Sequence, residues 1–157
     1  MSGPPDEEDL AALPLGAFLE RTATNQGAPA AGSAAAVAAA LGAALAGMTA
    51  RLSRELDGAD RLAEHADTLR ARALELAEAD AAAVGAMLSG SSPDRPDPND
   101  VPRAIGDVAD ELAGLAADLA RDGNPRLHAD AVAAGHLATA ARAMVDGIIR
   151  SNRDTAE

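Results

Sequence analysis

Apolar residues recur at three- and four-residue steps along most of this chain, a pattern typical of helices that bury one face. The steps are most regular in residues 101–121, where they comprise Ile105, Val108, Leu112, Leu115 and Leu119. Similar stripes follow residues 60–88 and residues 125–150, so each of the three segments is predicted to be one long helix. The alternation of three- and four-residue steps indicates near-parallel packing in a bundle.

Residues 33–56 show a different pattern, because Ala fills most positions and no charge occurs before Arg51. A helix that is apolar all round is buried all round, which predicts the central helix of the bundle. Ser33 is predicted to be its N-cap, and Gly58 its left-handed C-terminal stop. A short first helix is predicted to begin near Pro14. Its expected inward stripe is Leu15, Phe18, Leu19 and Thr22.

Turn-forming residues separate the predicted helices. The loop GSSPDRPDPND, residues 90–100, divides the third helix from the fourth. Gly123, Asn124 and Pro125 are predicted to end the fourth helix and begin the fifth, as C-terminal stop, N-cap and first helical residue. Together the elements predict an all-α, five-helix bundle-like domain over residues 13–152. Residues 1–12 are predicted to be a flexible acidic N-terminus, and residues 153–157 a C-terminal tail.

Composition supports the helical prediction and narrows the possible functions. Phe18 is the only aromatic residue, whereas sheets favour aromatic and β-branched residues. The formal net charge of −12 disfavours binding to nucleic acid or anionic lipid, which requires a basic face. The absence of cysteine excludes disulfides, thiol catalysis and cysteine metal ligands. The N-terminus MSGPPDEEDL lacks the basic and apolar regions of a signal peptide, so a cytoplasmic location is expected.

The Ala-rich segment is the one candidate for a membrane span in the sequence. Its uncharged stretch is shorter than the roughly 20 apolar residues that a span requires, and Ala and Gly contribute little transfer energy. In a five-helix domain, one helix is covered on every side only when a second subunit packs on its outer face. The sequence therefore predicts a homodimer and no membrane contact, with a central helix inside a monomer as the simpler alternative.

Two carboxylates interrupt the apolar stripes. Asp80 lies in the stripe of the third helix, and Asp130 in that of the fifth. A carboxylate that faces a core costs free energy unless it is paired or hydrogen-bonded. Each of them could cap a neighbouring helix or meet an arginine, but two on separate helices favour a functional pocket. Asp130 also lies about one turn past the helix start at Asn124, where unpaired N–H groups bind polar ligands.

The remaining polar residues give weaker signals. His65, His128 and His136 lack the i, i+4 spacing of a helical metal site, so no metal centre is predicted. His128 lies near Asp130 and is a candidate site residue, although a solvated surface histidine explains it as well. Ser33 has no nearby histidine and acid to activate it as a nucleophile, so it is expected to cap a helix or contact a ligand.

Three stretches resemble the cyclodeaminase/cyclohydrolase family, which includes the cyclodeaminase domain of formimidoyltransferase-cyclodeaminase and bacterial methenyltetrahydrofolate cyclohydrolases. PAAGSAAAVAAALGAALAGM is similar to the family's glycine turn and Ala-rich segment, EADAAAVGAM to its Asp-Ala-x-Ala element, and GNPRLHADAVAAGHLA to its Gly-Asn-Pro element. The stretches occur in the family's order over most of residues 15–152. The resemblance implies an all-helical homodimer that binds a tetrahydrofolate derivative and needs no metal or other cofactor.

The resemblance also implies the site residues. Asp80 and Asp130 match acidic positions of the family and are the catalytic candidates. The substrate-binding candidates are Gly32, Ser33, Asn124, Arg126 and His128. The chain departs from the family pattern in the glycine turn and at single positions of the other two elements. These departures are Ala30, Ala31, Val84, Arg126 and Ala129.

The implied reaction is hydrolysis of 5,10-methenyltetrahydrofolate to 10-formyltetrahydrofolate, or cyclisation of 5-formiminotetrahydrofolate with loss of ammonia. The hypothesis is that Asp80 acts as acid or base while Asp130 orients the reactants or attracts the cationic carbon, although the sequence does not rank the two roles. The anionic end of the folate is expected to meet an arginine. The candidates are Arg51, Arg54, Arg103 and Arg126. The alternative is a non-catalytic helical homodimer of the same fold that binds a folate-like ligand or a protein.

Overall fold

The computed structural model describes residues 9–25, 27–90 and 97–156, and this part of the chain is helical with no strand. The helices are α1 (Leu15–Thr22), α2 (Ala31–Arg51), α3 (Ala59–Ser89), α4 (Asp100–Asp122) and α5 (His128–Ala156). Two 3-10 turns, Leu10–Ala12 and Pro125–Leu127, precede α1 and α5. The predicted all-α fold with five helices is confirmed.

The Ala-rich α2 is the central helix, as predicted. It packs along α3 on one side and along α5 on the other, and it also contacts α4. Both flanking helices run antiparallel to α2. Its first turn meets Asp80 of α3 and its last turn meets Asp67, while Asn124, just before α5, is hydrogen-bonded to Ser53. The inward positions of α2 are almost all Ala and Gly, whose small size lets the neighbouring helices approach closely.

One chain does not bury α2 on all sides. Leu41, Met48 and Leu52 are 55%, 36% and 47% exposed, and the half-buried Val37 and Leu45 lie along the same outward stripe. Among the described helices, α2 alone is long and apolar enough to cross a membrane, but 56% of its apolar window is buried inside the fold. That burial is the environment of a core helix, and the outward stripe stays exposed in a single chain.

Both ends of α2 differ from the prediction. Its N-cap is Ala30, and Ser33 is the third residue of the helix. The helix ends at Arg51, five residues earlier than predicted. In a continuing helix the Ser53 N–H would donate to the carbonyl oxygen of Thr49. Here the Ser53 hydroxyl donates to that oxygen instead, and the Ser53 N–H donates to the carbonyl oxygen of Ala50. Gly58 is left-handed, with φ 76°, but it precedes α3 and does not end α2.

Helix α4 and its junction with α5 agree better with the sequence, while residues 91–96 of the predicted loop before α4 lie outside the described part. All five residues of the predicted α4 stripe are buried. Gly123 is the C-cap of α4, and the Asn124 side chain accepts a hydrogen bond from the backbone N–H of Arg126. The predicted cap is therefore confirmed, although it begins a 3-10 turn that leads into α5.

The outer segments depart from the predictions. Of the predicted inward stripe of α1 only Phe18 is buried, whereas Leu15, Leu19 and Thr22 are exposed. Leu10–Ala12, within the predicted flexible N-terminus, forms a 3-10 turn, and the backbone N–H of Ala11 donates to Glu78 on α3. Residues 1–8 lie outside the described part. Helix α5 continues to Ala156, so most of the predicted C-terminal tail is helical.

Candidate active site

Asp80 is the buried carboxylate that its sequence stripe predicts. Only 6% of the residue is exposed, and its side chain lies against the first turn of α2. Its Oδ2 accepts two hydrogen bonds from Ser33, one from the backbone N–H at 2.6 Å and one from the hydroxyl at 2.9 Å. The Ser33 hydroxyl oxygen also lies 3.1 Å from the carbonyl oxygen of Ala77. Oδ1 of Asp80 receives no hydrogen bond from the residues that the structure describes.

The place of Asp80 follows from how α2 begins. The first four N–H groups of a helix have no partner inside it, and α2 has no capping side chain at its own N-cap, Ala30. Asp80 supplies an acceptor from the neighbouring helix, where the helix dipole also favours a negative charge. Asp80 thus takes the capping role that the sequence assigns to Ser33. The structural alternative for this acid, capping of a neighbouring helix, is confirmed.

Gly32 sets how closely the carboxyl approaches α2. A Cβ atom at this position would lie 1.9 Å from Oδ1 and 2.4 Å from Cγ of Asp80. Both atoms belong to a buried side chain whose Oδ2 accepts two hydrogen bonds from Ser33, so the carboxyl would have to leave this position to make room. Glycine at residue 32 therefore allows Asp80 to reach the N–H of the next residue. The contact that the structure shows for Gly32 is with Asp80.

Burial raises the pKa of Asp80, because desolvation penalises the ionised form, and the two hydrogen bonds from Ser33 oppose this shift. No charged side chain is among the causes. Glu78, two residues before Asp80 on α3, accepts a hydrogen bond from the backbone N–H of Ala11. Arg103, near the start of α4, is paired with two carboxylates. A carboxyl with a raised pKa exchanges its proton closer to neutral pH, as acid–base catalysis requires.

Asp130 lies far from this site within one chain. Asn124 is hydrogen-bonded to Ser53, and Leu137 lies against Gly42. Asp130, between Asn124 and Leu137, therefore lies beside the C-terminal half of α2, roughly 20 Å along the helix axis from the first turn, at about 1.5 Å per residue.

The half-buried position of Asp130 has a simple cause. The predicted stripe of α5 consists of Leu127, Asp130, Ala134, Leu137, Ala141, Met144 and Ile148. The stripe that α5 buries shares only Ala134 and Ala141 with it and is otherwise displaced by one residue. It comprises Ala131, Ala134, Ala138, Ala141 and Val145. Asp130 consequently lies at the edge of the buried face, and its carboxylate has no hydrogen bond or ion pair with a described residue. The expectation that Asp80 and Asp130 form one pocket is wrong for a single chain.

The predicted ligands around the start of α5 have structural partners. The Asn124 amide nitrogen donates to the carbonyl oxygen of Leu52 at 3.0 Å. The His128 Nδ1 lies 3.0 Å from the carbonyl oxygen of Ala120. These contacts fasten the α4–α5 connection to the end of α2 and to α4. Beside them opens a cleft of about 520 Å³, lined by residues 52–57 and 122–126.

The four candidate arginines fall into two groups. Arg51 pairs with Asp67, and Arg103 pairs with two carboxylates at the start of α4. Arg54 and Arg126 form no ion pair with the described residues and line the cleft at the C-terminal end of α2. That cleft is some twenty helical residues from the first turn of α2, roughly 30 Å, so it is separate from the surroundings of Asp80.

Two features of the site carry no signal in the sequence. The carbonyl of Ala77 is a backbone group, and alanine gives no sign that it accepts a hydrogen bond. Asp80 reaches Ser33, 47 residues earlier in the chain, only through the antiparallel pairing of α2 and α3. Within the described ranges, no group of three or more His, Cys, Asp or Glu side chains is arranged to hold a metal ion.

A sequence model of the formiminotransferase-cyclodeaminase family matches residues 14–94, a stretch that contains Gly32, Ser33 and Asp80. No curated protein matches the chain significantly. Among solved structures, the crystal structure of formiminotetrahydrofolate cyclodeaminase from Thermotoga maritima matches with a TM-score of 0.82 and 23% sequence identity, over 93% of this chain and 81% of that chain. At this identity the structural match shows a shared fold. Because the family match extends over half of its residues, the chain belongs to the formiminotransferase-cyclodeaminase family.

Proposed function

We propose that this protein is an enzyme of folate one-carbon chemistry and that Asp80 is its acid–base group. The observation that carries the proposal is the buried Asp80 carboxyl, with its raised pKa, at the first turn of the central helix. It lies within the stretch that matches the family. The name of the structurally similar Thermotoga maritima protein supports the same substrate class. The proposal places the reaction in the cytoplasm and assigns proton transfer to the carboxyl, without a metal or cofactor.

In the hydrolytic reaction the substrate is 5,10-methenyltetrahydrofolate, whose one-carbon bridge carries an amidinium-like cation. Water adds to the bridge carbon, and ionised Asp80 accepts the proton that the water loses. The bond from the bridge carbon to N5 then breaks as N5 takes up the proton that Asp80 holds. The hydroxyl of the adduct gives its own proton to Asp80, and from there to solvent, so that its oxygen becomes the formyl oxygen of 10-formyltetrahydrofolate. The release of one proton balances the loss of the positive charge of the substrate. A carboxylate beside the cation also stabilises the charge on that carbon, more strongly in a buried site than in water.

In the cyclising reaction the substrate is 5-formiminotetrahydrofolate. N10 attacks the formimino carbon, and the bond from that carbon to the terminal nitrogen breaks. The leaving nitrogen gains the proton of N10 and a second proton from neutral Asp80, so that ammonia departs and the methenyl bridge remains. The raised pKa of Asp80 favours this direction, because it keeps the neutral acid available at higher pH.

The hydrogen bonds of the carboxyl suggest which oxygen reacts. Oδ2 accepts both hydrogen bonds from Ser33. Oδ1 lies over Gly32 without a donor among the described residues. We assign the contact with water or with the leaving nitrogen to Oδ1.

The test is a pair of assays on the full chain. Absorbance decay of 5,10-methenyltetrahydrofolate, with and without protein, measures hydrolysis, and ammonia release from 5-formiminotetrahydrofolate measures cyclisation. The proposal expects one of the two rates to exceed the protein-free rate by orders of magnitude. Protein-free rates in both assays would contradict it.

We also propose that the protein is a homodimer formed through the outward stripe of α2, which Leu41, Met48 and Leu52 mark. The stripe carries no charge up to Arg51, so a two-fold related copy of the same surface can pack on it without like-charge repulsion. Sedimentation should show a dimer for the wild type and a monomer for Leu41→Glu. Leu19→Glu, an equally exposed leucine on α1, is the matched control and should stay dimeric. A wild-type monomer overturns this part of the proposal.

The second candidate function is a non-catalytic homodimer that binds a folate-like ligand or a protein. It is favoured by the engagement of Asn124 and His128 in structural hydrogen bonds and by the distance of Asp130 from Asp80. A thermal-shift titration with 5-formyltetrahydrofolate separates its two forms, because a ligand that binds the folded state raises the apparent melting temperature. Stabilisation without turnover identifies a folate binder. If the ligand neither stabilises the protein nor is any folate turned over, the protein-interaction role remains.

A further inference from the structure

The hydroxyl of Ser33 has one proton and two acceptors. Its oxygen lies 2.9 Å from Oδ2 of Asp80 and 3.1 Å from the carbonyl oxygen of Ala77. A serine hydroxyl donates a single hydrogen bond, so one of the two acceptors is without it at any moment. Ser33 is fully buried, which keeps bulk water from satisfying the other.

The charge of Asp80 decides which acceptor the hydroxyl prefers. Hydrogen bonds to an ionised group are roughly twice as strong as those between neutral groups. Ionised Asp80 therefore holds the hydroxyl on Oδ2. Once Asp80 gains a proton, Oδ2 becomes a neutral acceptor, and the peptide carbonyl of Ala77 competes with it on equal or better terms.

The other contacts of Asp80 do not depend on its charge in this way. The backbone N–H of Ser33 is fixed by α2 and lies 2.6 Å from Oδ2. Gly32 underlies the carboxyl so closely that a single methyl group would displace it. Among the described contacts of Asp80, the Ser33 hydroxyl is the one that can change partner by rotation about a single bond.

The charged side chains of the neighbouring elements have partners of their own. The Ser33 hydroxyl therefore remains the contact of Asp80 that can change. The first turn of α2 carries no charged side chain. On α3, Glu78 is held by the N–H of Ala11, beside Asp9. Near the start of α4, Arg103 is paired with Asp97 and Asp100.

We propose that Ser33 is a positioning residue whose hydroxyl alternates between Asp80 and Ala77 as Asp80 loses and gains its proton. Its catalytic meaning rests on the proposed function. The carboxyl passes between base and acid while its own position, the first turn of α2 and the backbone hydrogen bond stay in place. Proton transfer to or from a bound substrate would then require no rearrangement of α2.

The test is a titration of the Asp80 carboxyl carbon by NMR in the substrate-free protein, assigned by its loss in Asp80→Asn. In Ser33→Ala the ionised form loses one hydrogen bond, so the pKa of Asp80 should rise by about one pH unit. Ser33→Thr restores a hydroxyl and should return the pKa towards the wild-type value. Ser53→Ala is the matched control. It removes another buried serine hydroxyl, at the far end of α2, and should leave the pKa of Asp80 unchanged.

Each outcome of the titration is informative. An unchanged pKa in Ser33→Ala, or an equal change in Ser53→Ala, overturns the proposal. Should Ser33→Ala fail to fold, Ser33→Cys keeps a side chain of similar size with a weak donor and should raise the pKa in the same direction. A pKa rise in a protein that turns over no folate upholds the inference about Ser33 and contradicts the proposed function. Turnover without a pKa rise does the reverse.

Discussion

Two acids that interrupt apolar stripes, Asp80 near the N-terminal end of α2 and Asp130 beside its C-terminal half, have different surroundings in the structure. Asp80 and Asp130 each interrupt an apolar stripe, but Asp80 is buried with two hydrogen bonds, whereas Asp130 is half-buried with none from the described residues. The direction of α2 explains the difference. The N-terminal end of a helix presents unpaired N–H groups, which a carboxylate accepts, and its C-terminal end presents unpaired carbonyls, which a carboxylate cannot use.

The polar residues near the C-terminal end of α2 agree with this explanation. The Ser53 hydroxyl and the Asn124 amide both donate there, to the carbonyl oxygens of Thr49 and Leu52. Hydrogen-bond donors thus lie at the end of α2 that has free carbonyl groups, and an acceptor, Asp80, lies at the end that has free N–H groups. An acid in an apolar stripe therefore indicates a buried site only when the fold brings it to a helix N-terminus.

The largest expected effect separates the two acids by activity. Asp80→Asn should lower kcat/KM at least about 100-fold, the usual loss when a general acid or base is removed. The fold should persist, because the Asn amide oxygen still accepts from the Ser33 N–H. Asp130→Asn should leave activity near the wild-type value, because Asp130 is remote from Asp80 in one chain. The folate assays described above, with circular dichroism as the folding control, measure both.

A comparable loss in Asp130→Asn would change the comparison. It would mean that Asp130 reaches an Asp80 site in the assembled protein, from the partner subunit. Mixing inactive Asp80→Asn and Asp130→Asn proteins would then restore part of the activity in mixed dimers. No restoration would leave Asp130 a structural role.

The next effect concerns the close approach at the start of α2. In Gly32→Ala the new methyl group would meet the Asp80 carboxyl at 1.9 Å, so unfolding free energy should fall by about 2–3 kcal/mol, as in overpacked cores. Gly85→Ala is the matched control. It lies in α3 with nothing within 4 Å of the new Cβ, and alanine there should stabilise the helix by up to about 1 kcal/mol. Urea unfolding of both variants measures the difference, and equal losses would contradict the contact.

Sequence patterning predicted the helices well and the site in part. The α4 stripe is confirmed at all five positions, because it depends only on the helical period. The stripe of α5 is misplaced by about one residue, because the prediction followed larger residues such as Leu137 and Met144, which are only half-buried, whereas the close-packed face of α5 consists mostly of alanines. Asp80 was found because a charge among leucines is conspicuous. Its hydrogen bonds with Ser33 were not predicted, because the two residues meet only through the packing of α3 against α2, which the helical period does not reveal.

The pH dependence of stability gives a smaller effect of definite sign. Burial raises the pKa of Asp80 in the folded state above its ordinary value of 3.8. The folded state therefore binds this proton more tightly, and the resulting stabilisation is full below pH 3.8 and is lost as the pH rises through the folded-state pKa. Asp80→Asn removes the titration, so the wild type should lose stability relative to this variant across that window. Urea unfolding of both proteins from about pH 3.5 to pH 7 tests this, and a constant difference would refute it.

The smallest effect compares two buried hydroxyls of α2. Ser33, at one end, has two acceptors, whereas the hydroxyl of Thr49, near the other end, is buried without a hydrogen-bond partner in the described structure. Thr49→Val replaces that hydroxyl with a methyl group of similar shape, which should raise the unfolding free energy by about 1 kcal/mol because an unsatisfied polar group no longer needs to be buried. Ser33→Ala should lower it by a similar amount, because a satisfied hydrogen bond to a carboxylate is lost. A Thr49→Val protein that is less stable than the wild type would show that the hydroxyl has a partner, such as a buried water, and that the donors near both ends of α2 are equally well satisfied.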